Sequence, residues 1–137
     1  MGKQDVMAKI LPNGKGVWVP IDHGVTDFPC VGLENIEATI TAIIAGGANV
    51  IVAHKGVVDK YSHLCEGTAT SMIAHLSAST RHGGKNHSNK VLVGDVDEAI
   101  MRGAVGVSVQ ANIGSKKEST MLQRMGHITT EAFLNQV

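Results

Sequence analysis

Several apolar runs of this chain end on residues that could do chemistry. Asp22, His23 and Gly24 follow "VWVPI", and His54, Lys55 and Gly56 follow "NVIVA". His75, Leu76 and Ser77 follow "SMIA", and Gln110, Ala111 and Asn112 follow "VGVSV". An acid, imidazoles, an ammonium and amides gathered in this way suit proton transfer and the holding of an anionic small molecule. In parallel α/β proteins such residues meet at the carboxyl ends of the strands, whether the sheet is open or closed into a barrel.

Each residue also has a plainer reading. Asp22 before His23-Gly24 is good turn or cap chemistry, while its place after an apolar strand speaks equally for function. His23 also suits a hydrogen bond to backbone, and Gly24 suits a backbone conformation closed to other residues. A lysine beside a buried strand end, as Lys55 is, costs free energy unless it is paired or used. Two uses suit it: a point charge for phosphate or carboxylate, or a Schiff base if its pKa is depressed. His75 lies inside an apolar run and reads first as a satisfied core histidine. His82 and His87 flank "GGKN" with no acid nearby in sequence, so no metal is assigned to them. The loop "HGGKNHSNK" lacks the helix-opening pattern of a P-loop. Lys116 and Lys117 read as solvated charge in the first turn of the last helix, although they oppose its dipole there.

The elements that must position these groups follow from periodicity. Residues 17–22 read as a buried strand with Pro20 near its end. A helix over 32–46 puts Leu33, Ile36, Ile40 and Ile43 on one face, and Gly46-Gly47 stops it. Strands are expected at 49–53, 71–76 and 105–109, with a brief strand-like piece at 91–93. A helix over 95–102 sets Val96, Ala99 and Ile100 on one face. The last helix, 115–134, turns Met121, Leu122, Met125, Ile128, Ala132 and Phe133 to the core. Segment 57–70 is mixed, 81–90 irregular, and 1–16 a polar lead-in. "AIIAGGANVIVA" and "AIMRGAVGVSV" repeat one pattern, so that Gly47-Ala48 recurs as Gly103-Ala104. Strands alternating with helices through short glycine turns mean parallel pairing and right-handed crossovers. Four such units fit an open doubly wound sheet and part of a (β/α)8 barrel alike.

The totals narrow the class. The chain has 137 residues, 43% hydrophobic and 18% charged, with 12 basic against 12 acidic side chains. That is one globular domain with no field drawing it to nucleic acid or a membrane surface. Cys30 and Cys65 are too few and too far apart for a disulfide framework, so reduced thiols are expected. The start lacks the apolar core of a signal peptide, and Val6 stands where myristoylation prefers Ser or Thr. A cytoplasmic location is expected.

The stretches "VPIDHGVTDFP", "AGGANVIVAHKG", "IAHLSAST", "KVLVGDVDEAIMRGAVGVSV" and "NIGSKKE" occur in this order over most of 16–128. Together they resemble the archaeal-type class I aldolases, the DhnA-like family. The resemblance implies an α/β fold: the N-terminal half, about four βα units, of a (β/α)8 barrel, with 1–137 one partial barrel domain. It makes Asp22 the proton acceptor and has Asp22, His23, Gly24, Val25 and Thr26 hold a sugar phosphate. Lys55 joins them here as a further candidate for substrate binding. Chemistry in the family runs through a Schiff base on a lysine, with a tyrosine in a "YPRG"-like motif as proton donor, and implies no metal or redox cofactor. "HKG" and "HLSAST" side with the transaldolase branch of the 3-dehydroquinate route to aromatic amino acids. The fructose-bisphosphate branch shares "DHG" but reads nearer "LKLNGKT" on its third strand.

The implied partners are a sugar phosphate and an amino-acid-derived semialdehyde, with self-association through open barrel edges. The donor tyrosine, the Schiff-base lysine and the phosphate loops belong to strands five to eight, which have no counterpart in these residues. Tyr61 lies outside any "YPRG" context, and Lys55 is not the Schiff-base lysine. The chain alone is therefore expected to have little or no aldolase activity, and a non-catalytic half-barrel is the competing reading. Phe28 stands where the family tends to have Gly and is expected to crowd the loop after Thr26.

Overall fold

Four parallel strands carry the architecture. The computed structural model describes residues 2–137. Strands β1 (Trp18–Pro20), β2 (Val50–Ala53), β3 (Ser71–His75) and β6 (Gly106–Ser108) form one sheet in the order β1-β2-β3-β6. Every neighbouring pair is parallel. Each main strand thus lies beside its predecessor, with no switch of direction in the order. A doubly wound sheet requires such a switch, whereas a barrel wall requires its absence. The strand order decides what the alternation of elements left open.

Two short strands, β4 (Ser77–Ala78) and β5 (Val91–Leu92), pair antiparallel beyond the end of β3. The strand-like piece near 91–93 therefore belongs to a small ribbon above the sheet and not to the sheet itself.

Helices α3 (Ile36–Ala45), α4 (Lys55–Tyr61), α5 (Val96–Met101) and α6 (Glu118–Leu134) pack on one face. Strand side chains alternate between faces. Ile51, Ala53, Met72 and Ala74 therefore meet Ile40, Val58, Val96 and Ile128 in the main core. Val50 and Ile73 point the other way and join Ile10, Val6 and Leu11 in a smaller cluster. Ile10 and Val6 come from α1 (Lys3–Ile10), inside what reads in sequence as a lead-in. With a short apolar set and no long periodic stripe, that segment gives little signal until it has a sheet to cover.

α3 starts at Ile36, four residues later than the periodicity suggests, because the Asn35 side chain caps it by accepting from the Ala38 N–H at 3.1 Å. The internal repeat is a repeated helix stop. Gly47 (φ +78°) and Gly103 (φ +96°) both take the left-handed conformation. The next N–H then folds back in each case, Ala48 to Ile43 O and Ala104 to Ala99 O. Both alanines are buried where the chain turns into the next strand.

Two helix faces are narrower than expected. Ile100 sits at the exposed edge of α5, and Leu122 and Phe133 of α6 lie in solvent. Met121, Met125, Ile128 and Ala132 form the inward stripe, since steps of 4, 3 and 4 residues keep to one face while positions 122 and 133 fall about a quarter-turn away. Segment 57–70 resolves into most of α4, a 3₁₀ turn over Ser62–Cys65 and a loop. Among the described residues no helix is long and apolar enough to cross a membrane.

Candidate active site

The face that carries Val50 and Ile73 continues past the strand ends into polar residues. Register fixes this. Ile73 lies opposite Gly106, so His75 lies opposite Ser108 two residues on. Pro20 lies opposite Val52, which places Asp22 and His54 beside each other, two residues further again. α1 closes the amino end of this face, and the polar group occupies the carboxyl end.

Four side chains meet there. His75 Nδ1 is 2.8 Å from Ser108 Oγ, and its Nε2 is 3.7 Å from Asp22 Oδ2. A carboxylate cannot donate, so the neutral ring keeps its hydrogen on Nε2 toward Asp22 and accepts from the Ser108 hydroxyl at Nδ1. At 3.7 Å the Asp22 contact is electrostatic and not a hydrogen bond. His54 Nδ1–H donates to His75 O at 3.0 Å, and the two rings lie 5.6 Å apart, tilted by 55°. His75 is a satisfied core histidine, as its sequence context suggests, and it also faces the carboxylate.

Asp22 occupies the cap position of the single helical turn α2 (His23–Thr26), yet its side chain makes no capping bond. The carboxylate is left free to face His75. Its other neighbour is His23, whose Nδ1 is 3.9 Å from Oδ1 and whose ring is about half exposed. Gly24 departs from expectation: it is helical, with no positive φ, and a Cβ there would meet nothing within 4 Å. Val25 and Thr26 complete the turn. Phe28 also departs from expectation, since it is 70% exposed and crowds nothing around Thr26.

Lys55 does not join this group. It is the first residue of α4 and sends its ammonium to Glu98 of α5, 3.0 Å from each carboxylate oxygen. Arg102 holds Glu98 Oε1 through Nε at 3.0 Å and Nη2 at 2.8 Å, and reaches Asp59 with Nη1 at 3.2 Å. Lys55 first, then Arg102, hold the Glu98 carboxyl below the usual carboxylate range. The expected cost of an unpaired lysine is thus met by pairing. Gly94 leaves room for the pair, because a Cβ there would lie 3.2 Å from Glu98 Oε2.

Sequence reasoning passed over Ser108, although a serine at an alternating position of "VGVSV" was the available signal. Gln110 and Asn112, which it did single out, bond to each other at 2.8 Å, and Asn112 Nδ2 donates to Ser88 O at 2.7 Å. They tie loops together beside the cluster. His82 and His87 share the 81–90 loop, where His87 Nδ1 bonds Gly84 O. Among the described residues no group of three or more His, Cys, Asp or Glu side chains is placed to hold a metal ion.

Burial holds the His75 imidazole below its ordinary range, against the pull of Asp22 and with smaller help from His54 and Lys90. An unfolded imidazole titrates near about 6.5. Below that pH the unfolded chain takes up a proton that the folded chain refuses, so stability falls as pH drops from about 7 toward the folded value. Urea midpoints measured across this window check the sign. His75→Gln is expected to flatten the slope, and a slope unchanged by that substitution would contradict the assignment.

Sequential parallel strands, helices on one face and a polar cluster at the carboxyl ends define one half of a (β/α)8 barrel of the aldolase kind. The chain belongs to the DeoC/LacD family of aldolases, whose family model matches residues 16–136. It is 35% identical over 129 residues to 2-amino-3,7-dideoxy-D-threo-hept-6-ulosonate synthase 1 of Archaeoglobus fulgidus, covering 94% of this chain and 48% of that one. It is 32% identical to the synthase of Halobacterium salinarum, covering 96% and 48% respectively. A Schiff-base-forming fructose-1,6-bisphosphate aldolase of known structure superposes with a TM-score of 0.82 at 22% identity, over 98% of this chain and 54% of that one. The chain thus spans about half the length of the relatives it matches.

Proposed function

We propose that this chain supplies the first half of a class I aldolase site that makes or breaks a carbon–carbon bond of a sugar phosphate through a Schiff base. The reaction is of the 2-amino-3,7-dideoxy-D-threo-hept-6-ulosonate synthase kind, a transaldolase step toward 3-dehydroquinate and the aromatic amino acids, in the cytoplasm. The observation that carries this reading is the Asp22 carboxylate, uncapped at the end of β1 and facing His75. In such chemistry an iminium on a lysine is the electron sink, and Asp22 takes the hydroxyl proton as the bond breaks. His23, Gly24, Val25 and Thr26 would line the sugar phosphate beside it. Lys55, held by Glu98, would reach the substrate only by leaving that pair. The "HKG" and "HLSAST" stretches and the two synthase relatives favour this branch over the fructose-bisphosphate one.

The 137 residues hold Asp22 but neither the Schiff-base lysine nor the donor tyrosine that the resemblance assigns to later strands. We infer that the chain alone is inactive and that one domain forms when a complementary half closes the barrel. The exposed edges of β1 and β6 also favour self-association.

The test is borohydride trapping with a sugar phosphate, read by mass. The chain alone is expected to form no adduct. Mixed with the C-terminal half of the Archaeoglobus synthase, it is expected to show turnover, with an adduct on a lysine of the added half. An adduct on the chain alone would overturn the inactivity. A stable complex without imine or turnover would leave the non-catalytic half-barrel as the reading. A panel with fructose 1,6-bisphosphate separates the two enzymatic branches.

A further inference from the structure

The serine that meets His75 is held in place by its own strand end. Ser108 lies opposite His75 in the β3–β6 register, and its carbonyl accepts from the Leu76 N–H at 2.9 Å. Further on, the Gln110 N–H donates to Ser77 Oγ at 2.9 Å, so the two strands stay tied past their last paired residues. His75 is equally fixed. His54 donates to its carbonyl at 3.0 Å, and its side chain is only 10% exposed. The Ser108 hydroxyl therefore meets Nδ1 at 2.8 Å from a backbone that cannot easily draw away.

The direction of the other ring nitrogen depends on this contact. With Nδ1 toward Ser108, Nε2 faces the Asp22 carboxylate at 3.7 Å. A ring turned over about its Cβ–Cγ bond would present carbon to both, leaving the hydroxyl unanswered and the carboxylate facing C–H. The Asp22 contact is too long for a hydrogen bond and does not hold the ring by itself. A hydroxyl suits the task because it has one hydrogen and two lone pairs. It donates to Nδ1 of the neutral ring and accepts from Nδ1–H of the protonated one. The titratable groups around the ring are Asp22 past β1, His54 past β2 and, acting more weakly, Lys90 ahead of β5. Of these only Asp22 is an acid.

We propose that Ser108 is a positioning residue of the strand-end site, aiming the His75 Nε2–H at Asp22 and so fixing the ring beside which that carboxylate takes up the substrate's proton. The assignment rests on the reading of Asp22 as the proton acceptor. Ser108 acts through His75 and needs no contact with substrate.

The test is ring-nitrogen NMR of the isotope-labelled 137-residue chain across pH. In the neutral ring of the parent, Nε2 is expected to carry the proton and Nδ1 to resonate as a hydrogen-bonded acceptor. Ser108→Ala is expected to move the Nδ1 resonance toward that of an unbonded nitrogen, and Ser108→Thr to restore it. A double-mutant cycle reads the aim of the ring. Asp22→Asn is expected to lower the pH at which His75 titrates in the parent, and to lower it by less in Ser108→Ala. In the complemented barrel Ser108→Ala is expected to reduce kcat about tenfold at unchanged KM, the worth of one hydrogen bond to the ring, with rescue by Ser108→Thr. A proton on Nδ1 of the neutral parent ring, an Nδ1 resonance unmoved by Ser108→Ala, or equal Asp22→Asn shifts in both backgrounds would overturn the proposal. So would an unaltered kcat in an active barrel. Should Ser108→Ala lose its cooperative melt, the parent ring decides, since an Nδ1 that is protonated or resonates as unbonded is equally fatal. The nitrogen signals are read without turnover, so failure of the aldolase reading and failure of the Ser108 assignment remain distinguishable.

Discussion

Asp22→Asn is expected to lower carbon–carbon bond turnover of the complemented barrel by about a hundredfold to ten-thousandfold, the usual range for a positioned acid or base. An amide matches the carboxylate in shape but cannot accept the proton. Nothing in the fold calls for the charge, because Asp22 caps no helix and its contact with His75 is long. The variant should therefore melt with the parent, and imine formation should survive, since that step belongs to a lysine of the other half. A second readout needs no activity. The Asp22 carboxylate draws the His75 titration upward against burial, so its removal should move that titration further down. Unchanged turnover with a shifted His75 would confine Asp22 to an electrostatic role. Unchanged turnover with an unmoved His75 would remove it from the site.

The second large effect concerns the two faces of the sheet. Ile51 is fully buried on β2 between Val19 and Met72 and belongs to the main core. Ile51→Ala removes three carbons from a site with no room to collapse and should cost about 2–5 kcal/mol. In a chain of this size that lowers the melting midpoint by at least roughly 6 °C. Val52, the next residue, points to the face that only α1 partly covers, and is half-buried. Val52→Ala should cost the chain alone about 1 kcal/mol. If a complementary half covers that face, the Val52 cost should rise on complex formation while the Ile51 cost stays. Equal costs for the two positions in the chain alone would mean that the second face is already covered, by self-association. Sedimentation of the parent chain would show that directly.

Much of the scaffold could be read from residue order. Apolar runs of four to six residues, helices between them and glycines at each helix end are local features, and the chain follows them closely at β2, β3, α5 and the paired stops at Gly47 and Gly103. Asp22 and His75 were visible as polar residues at strand ends for the same reason. What failed had two causes, a partner distant in sequence and a helix face drawn too wide. α1 gave no signal because its few apolar residues matter only against Val50 and Ile73. Ile100, Leu122 and Phe133 looked inward because their neighbours are apolar, yet helix geometry turns them out.

The sequence by itself determined the alternating parallel α/β class and the polar residues at its strand ends, because both arise from local periodicity and turn chemistry. Tertiary structure decided the rest. Strand order distinguished a barrel wall from a doubly wound sheet, a choice between pairings of segments and not a property of any one segment. Register placed Ser108 against His75 and His75 toward Asp22. Packing of α4 against α5 gave Lys55 to Glu98. Which groups meet at the site depends on distances between residues more than 30 apart in the chain, such as His75 and Ser108, and only the folded backbone sets those.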